Sequence, residues 1–354
     1  MKILFVGETW NGSSARSLRD ALSELPGVEI EDIGEDHYVP RASTFAMRAI
    51  YKLLRPLQRR ELQVEILRTL ESASSEVLMA YKGSAIGADT IALARQRGVV
   101  TVNVFPDCSP HAHGQALKRA VGEYDLVIST KPYHPTNWSS IYGYNNRCVF
   151  VPHGFEPKVH YWKELPQEQD LDITMVATWR EQYGRTLRDL AASLGDHGEY
   201  RVAIAGHGWH QHRSEFPEHW QFPGAIHGRA YTEFARRGKI VIAPLHVENL
   251  VGGVHQPGDV DTNRTYQLAA AGCFMLHRRS EYLASVYDEA TEVPMWSNVT
   301  ELASLVRHYL PRESERRGMA LAAQQRAVPM YSIQSRSKQI IEFVAGLLGD
   351  KGHD

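Results

Sequence analysis

Asp261–Gly272, DTNRTYQLAAAG, is the stretch whose reading decides the fold. It opens on a polar cluster, Asp261, Asn263 and Arg264, suited to face a ligand. It then runs into LAAAG, whose small side chains let a helix pack tightly on a sheet. Cys273–Leu276, CFML, follows as a short buried strand. Loop, helix and strand in that order make one turn of an α/β fold. The polar cluster falls at the helix N-terminus, where free N–H groups and the macrodipole favour an anion. Just upstream, Leu250–Asp259, LVGGVHQPGD, reads as a glycine-rich loop that lets the backbone at Gly252 and Gly253 come close to a phosphate. An ordinary helix packed on a sheet gives the same pattern with no ligand at all.

Composition sets the outer limits. A chain of 354 residues is long for one core and fits two domains. A hydrophobic content of 43% with 23% charged residues belongs to a soluble globular protein. The net charge of -2 provides no field for nucleic acid, and no nucleic-acid partner is expected. Three cysteines, Cys108, Cys148 and Cys273, are odd in number and far apart. They point to a reducing, cytoplasmic setting without a disulfide framework. No apolar run approaches the length of a membrane span, and MKILFVGETW reads as a first strand.

Outward from the opening stretch, strands and helices alternate. Lys2–Val6 is a strand. Gly7–Ser14, GETWNGSS, precedes a helix over Ala15–Leu25, and Gly12, Ser13 and Ser14 can bring N–H groups to a ligand there. Many α/β proteins carry such a turn with no ligand. Val28–Ile33, Glu76–Tyr81, Val99–Phe105, Tyr124–Thr130 and Cys148–Val151 continue the first sheet, with a helix over Ile86–Gly98. This order implies a parallel sheet covered on both faces, with ligands at the carboxyl ends of its strands. Three loops lie at such ends: Gly7–Ser14, Lys82–Ser84 and Pro106–Gly114. The last holds Asp107, His111 and His113, which suit proton transfer from a hydroxyl, a helix cap with solvated histidines, or a metal. Between these strands, Thr44–Leu70 has helical periodicity and a basic face of Arg48, Lys52, Arg55, Arg59 and Arg60. That face suits an anionic membrane or simply solvent.

Pro152–Pro157, PHGFEP, reads as a hinge into a second strand and helix alternation. Leu171–Thr178 is its first strand, and Arg180 and Arg185 lie in a loop at its carboxyl end, ahead of a helix over Thr186–Leu194, where guanidinium forks suit a diphosphate. Tyr200–Ala205 is a strand ending in GHGWHQH, whose His207, His210 and His212 lack a cysteine or carboxylate at ligand spacing; no metal is expected. A short strand ends at Ile226–Gly228, and Lys239–Pro244 feeds the glycine-rich loop. After CFML come a helix at Ser280–Val286, a strand near Glu292–Pro294, and helices at Asn298–His308, Arg312–Val328 and Ile333–Leu348.

The chain resembles the two-domain GT-B glycosyltransferases, most closely the spore-maturation CgeB-like branch of the glycosyltransferase family 1/4 group. The resemblance covers nearly the whole length. Its carriers are Glu76–Gly83, Val99–Asp107, Tyr124–Thr130, Val149–Pro157, Ile173–Arg185, Arg264–Gly272 and the tail Tyr331–Arg336. It implies two Rossmann-like, doubly wound domains facing across a cleft, with limits near 1–154 and 155–330. A final helix within 331–354 then packs back on the first domain. The nucleotide-sugar donor would lie mainly on the second domain. Arg180 and Arg185 would meet the diphosphate, with Gly206, His207, Gly252 and Gly253 close by. Asp261, Asn263, Arg264, Thr265 and Gln267 would line the helix start. The acceptor would lie on the first domain near Asn11, Gly12, Ser13 and Lys82. Gln267 stands where the family usually has a glutamate on the ribose hydroxyls, and an amide lacks that charge-assisted bond. Asp259 and Asp261 are acidic substitutes in the same loop.

The implied chemistry is transfer of a sugar, of the hexosyl type, from a nucleotide diphosphate to an acceptor hydroxyl, with no metal and no cofactor. Basic groups stabilise the departing diphosphate, and Asp107, His111 or His113 supply a base if the reaction inverts. The acceptor is a glycan, a lipid-linked sugar or a small molecule, and the basic helix leans toward peripheral contact at the inner membrane face. Two rivals stand beside this reading: a non-catalytic member that binds the nucleotide sugar, and a sugar-nucleotide epimerase on the same fold. A nicotinamide dehydrogenase is disfavoured, because Gly7–Ser14 lacks the G-x-G-x-x-G spacing.

Overall fold

The computed structural model describes residues 1–40, 45–195 and 197–351. Thr44, where the basic helix was expected to begin, lies outside the described residues, as do the side chains of Phe45 and Arg48. The chain divides into two compact units. The first comprises Met1–Pro152, Leu250–Pro257 and Ile333–Asp354; the second comprises His153–Asn249 and Gly258–Ser332.

The first unit is built on strands β1 (Lys2–Gly7), β2 (Glu29–Gly34), β3 (Val77–Tyr81), β4 (Val100–Phe105), β5 (Leu126–Ser129) and β6 (Arg147–Phe150). They form one parallel sheet in the order β2-β1-β3-β4-β5-β6. These strands are runs of Val, Ile, Leu and Met because both faces are covered. Side-chain alternation sends Leu4, Val6, Leu78 and Val127 to one core, under Leu62, Ile66, Ile91 and Trp138. It sends Ile3, Phe5, Met79, Val102 and Ile128 to the other, where Leu18 and Leu22 meet Ile340 and Val344 of the last helix, Ile333–Lys351. Winding reverses between β1 and β3, so the loops after these strands and after β4 frame the crevice where such sheets bind ligands.

The second unit holds β7 (Leu171–Val176), β8 (Val202–Ala205), β9 (Gln221–Gly224) and β10 (Gly238–Ala243). In chain order a hairpin of β11 (Asn249–Val251) and β12 (Val254–Gln256), with Leu250–Pro257 part of the first unit, comes before the second unit's β13 (Met275–Arg278) and β14 (Met295–Trp296). The six-stranded sheet runs β14-β13-β10-β7-β8-β9, again parallel, and its switch point lies between β7 and β10. The third strand ends at Gly224, so Ile226–Gly228 is loop, and the last strand lies just beyond Glu292–Pro294.

The opening stretch folds as its residues dictate. The helix Asn263–Ala270 buries Leu268, Ala269, Ala270 and Ala271 completely. Gly272 takes φ +68 and stops it: Gly272 N–H donates to Ala269 O and Cys273 N–H to Leu268 O, at 2.9 and 3.0 Å. This is the left-handed glycine cap that a helix followed by a buried strand requires.

Candidate functional site

In the first unit, charged groups gather at the carboxyl ends of β3 and β4. Lys82 and Gly83 both take left-handed backbone, φ +63 and +67. A lysine rarely adopts this conformation, and such outliers gather at functional sites. The turn is held by Lys82 N–H on Val104 O at 2.8 Å and by Asn103 Nδ2 on Lys82 O at 3.1 Å. It aims Lys82 Nζ to 2.7 Å from Asp107 Oδ2, and His113 Nε2 lies 2.9 Å from the same oxygen. Burial alone would raise the Asp107 carboxyl, but His113 and Lys82 outweigh it and hold it far below the usual carboxylate range. Asp107 is thereby held as an anion, with the His113 imidazole and the Lys82 ammonium both against one carboxylate oxygen.

The loop carrying Asp107 and His113 hangs on a residue with no sequence signal. His134, completely buried at the start of the helix His134–Ser140, has Nε2 3.0 Å from Cys108 O and Nδ1 2.5 Å from Ser129 Oγ. Burial pushes its pKa down to about 4, so it stays neutral: Nε2–H donates to the carbonyl, and Nδ1 accepts from the hydroxyl. His111, expected beside Asp107, instead sits edge-on to Tyr142 and Tyr144, with ring centroids 5.5 and 6.0 Å away. Ser13 is also given other work: its buried hydroxyl caps the helix Ser14–Ser23 by accepting from Ala15 and Arg16 N–H. Asn11 and Gly12 stay exposed on the β1 loop.

In the second unit, the switch point is spanned by one side chain. Arg264 Nε donates to Val176 O at the end of β7, 2.9 Å away, and Nη1 donates to Pro244 O just past β10, at 2.8 Å. Arg264 thus ties together the two strand ends that flank the crevice. Arg180 is exposed at the N-cap of the helix Glu181–Leu194, with no side-chain hydrogen bond at that cap. Its charge reaches His246, in the loop after β10, whose pKa is lowered first by burial and then by Arg180. His246 O also accepts from Asp259 N–H at 2.9 Å.

Across from this, Gly206 takes φ +141, and a Cβ there would come within 1.9 Å of Ala177 O. Only glycine allows the end of β8 to lie so close to the end of β7. His207 follows, exposed, its carbonyl accepting from Trp179 N–H at 2.7 Å. Trp179 stacks on His212 at 3.7 Å and covers Gly184 and Gly208, where a Cβ would come within 2.2 and 2.8 Å of its side chain. Gln267 is half-buried in the helix that Arg264 opens.

Several expected donor contacts are committed elsewhere. Asp261 is completely buried and accepts from Tyr266 Oη at 2.7 Å. Thr265 is also buried: its hydroxyl accepts from Thr262 N–H at 3.1 Å and lies 2.9 Å from His277 Nε2. Asn263 is the half-buried first residue of its helix. Arg185 pairs with Glu248 at 3.2 Å and lines a cavity of about 260 Å³ with Arg278, Trp296 and Asn298. Gly252 and Gly253, expected in a glycine-rich loop, fall in a hairpin. With φ +59 and +82 they form the exposed turn of the β11–β12 hairpin, a tight turn that needs positive φ twice. Among the described residues, no three His, Cys, Asp or Glu side chains group as a metal site.

Residues 180–342 match a family model described as glycosyl transferase-like. No curated protein matches the sequence. Among solved structures, a sucrose-phosphate synthase from Thermosynechococcus elongatus is 11% identical, with a TM-score of 0.68 over 99% of this chain and 100% of that one. Anabaena HepE in complex with UDP is 13% identical, TM-score 0.65, over 98% and 100%. AviGT4, a glycosyltransferase involved in avilamycin A biosynthesis, is 14% identical, TM-score 0.62, over 99% and 98%. At such identities the likeness is one of fold, and that fold is GT-B.

Proposed function

We propose that this chain, which carries a glycosyltransferase-like domain on the GT-B fold, moves a hexose from a nucleotide diphosphate to an acceptor hydroxyl without a bound metal. The observation that carries this reading is the second unit's switch point. Arg264 ties β7 to β10, Arg180 stands free of any cap bond at a helix N-terminus, and Gly206 brings a third strand end alongside. Fixed positive charge and free N–H groups are what a departing nucleoside diphosphate needs. Gln267 contributes an amide to the ribose. An Anabaena HepE structure holds UDP-glucose, so uridine donors are the first to try.

The first unit takes the acceptor. In an inverting reaction His113 receives the hydroxyl proton, Asp107 stabilises the imidazolium, and Lys82 keeps Asp107 ionised. In a retaining reaction the donor phosphate takes the proton, and the same triad positions the acceptor. The acceptor is read as a glycan, a lipid-linked sugar or a small molecule. Three free cysteines, with Cys148 and Cys273 pushed up to about 12 by burial, favour a cytoplasmic setting. The motifs at 149–157 and 331–336 support the CgeB-like branch.

The test is a panel of UDP-, GDP- and TDP-sugars, read by melting temperature and by product analysis. One nucleotide class is expected to raise the melting temperature and to lose its sugar. No shift with any of them overturns the proposal. Gln267 favours one rival, a binder without turnover, and a thermal shift with no product would establish it. A new sugar nucleotide formed from donor alone would mark an epimerase.

A further inference from the structure

One long helix leaves an apolar stripe exposed along its N-terminal half. The helix Phe45–Ala73 anchors its C-terminal part through Leu62, Ile66 and Leu70, which are buried in the first unit's core. Its N-terminal part carries large apolar side chains in solvent. Ile50, Leu53, Leu54 and Leu57 are 53, 82, 43 and 54% exposed. Their spacing, i, i+3, i+4, i+7, puts them on one face. Such a stripe normally marks the side of a helix that is buried.

The charges in this part are equally one-sided. Lys52 and Arg55 fall on roughly the opposite face, and both are exposed, as is Arg60. From His37 to Arg60 there is no Asp or Glu; the acids begin at Glu61 and continue at Glu65 and Glu71, within the anchored part. An apolar face backed by an acid-free basic face is the pattern of a helix lying in a membrane interface. The helix is not one that crosses: among the described residues, none is long and apolar enough.

We propose that residues 46–60 dock the protein on an anionic lipid surface, with Ile50, Leu53, Leu54 and Leu57 entering the headgroup boundary and the basic side chains meeting lipid phosphates. Charge selects this occupant. A second copy of the chain would bring two basic segments together, whereas an anionic leaflet attracts both the apolar and the basic face. Docking has a direct link to the site in the same unit. Arg59 Nη2 donates to Ser84 O at 3.4 Å, two residues past Lys82. The lipid-facing helix therefore adjoins the turn that aims the lysine, and an acceptor carried in the membrane would meet that end of the sheet. The docking itself does not depend on donor chemistry, and vesicle binding and nucleotide binding are separate measurements.

The test is sedimentation of the full chain with phosphatidylcholine vesicles, with and without phosphatidylglycerol, at low and high salt. The protein should pellet with the anionic vesicles only, and release in high salt. Two surface variants sharpen this: Leu53→Ser with Leu57→Ser, and Lys52→Gln with Arg55→Gln. All four side chains are exposed, so melting temperature should hold while vesicle affinity falls about tenfold or more in each. No binding to anionic vesicles at low salt overturns the proposal, as does unchanged binding by both variants. A concentration-dependent dimer in the ultracentrifuge, abolished by the leucine variant while vesicle binding persists, also overturns it.

Discussion

Replacing Arg264 tests whether one guanidinium holds the second unit's crevice. Arg264→Met keeps much of the stem's packing and removes both hydrogen bonds to Val176 O and Pro244 O. A hydrogen bond from a charged group is worth roughly 1.5–3 kcal/mol. Both carbonyls sit at strand ends and Arg264 is half-buried, so water can partly replace the donor. A loss of about 3 kcal/mol is the reasoned figure, near the lower sum for two such bonds. For a unit of this size that corresponds to a fall in melting temperature of roughly 6–12 °C. Arg264→Lys keeps the charge, but an ammonium lacks the planar fork that reaches two carbonyls together, so it should lose about half as much. The assay is urea unfolding followed by tryptophan fluorescence, since Trp162, Trp179, Trp209, Trp220 and Trp296 all belong to the second unit. A second readout is the thermal shift given by the donor nucleotide, which should shrink in both variants. Arg264→Met unfolding within about 0.5 kcal/mol of the parent, the usual range for an inert surface change, would refute the reasoning.

Other substitutions follow from the same geometry. Asp107→Asn removes the anion shared by Lys82 and His113. It should lower kcat roughly 10²–10⁴-fold with little change in donor KM, as steady-state kinetics will register. Gly206→Ala places a methyl 1.9 Å from Ala177 O on backbone at φ +141, and should cost at least about 3 kcal/mol in a circular-dichroism melt. Buried His134, His160 and His277, each pushed down to about 4 first by desolvation, stay neutral while their unfolded counterparts charge near pH 6.5. Their folded pKa is depressed, so the stability they contribute is full above pH 6.5 and is lost as pH falls toward 4. Between pH 7 and pH 5 each should remove about 2 kcal/mol, measured as a falling urea midpoint.

Much of the fold was legible because both sheets are parallel and doubly covered. Runs such as KILFV and KIVIAP leave no alternative to a buried strand, and LAAAG followed by CFML fixes a helix, its glycine stop and the next strand. The hairpin was not foreseen because Gly252–Gly253 suits an open glycine-rich loop and a tight turn equally well. The pairing of Asn249–Val251 with Val254–Gln256 decides it, and those strands are too short to show a period. In the candidate site, Asp107, His113, Lys82, Arg180 and Arg264 were singled out because polar residues at strand ends are few and placed by topology. Their partners were not. That Arg264 would turn to two carbonyls, or that Thr265 would face His277, depends on side-chain direction, which sequence spacing leaves open. His134 and His246 carried no motif, and only the packing of the loops after β4 and β10 reveals them.

The most direct trial of the central claim is a crystal structure of the full chain grown with the nucleotide diphosphate that raises its melting temperature. The diphosphate is expected against Arg180, between the ends of β7 and β10 and at the start of the helix Asn263–Ala270. A nucleotide bound elsewhere, with Arg180 and that helix start untouched, would contradict the account.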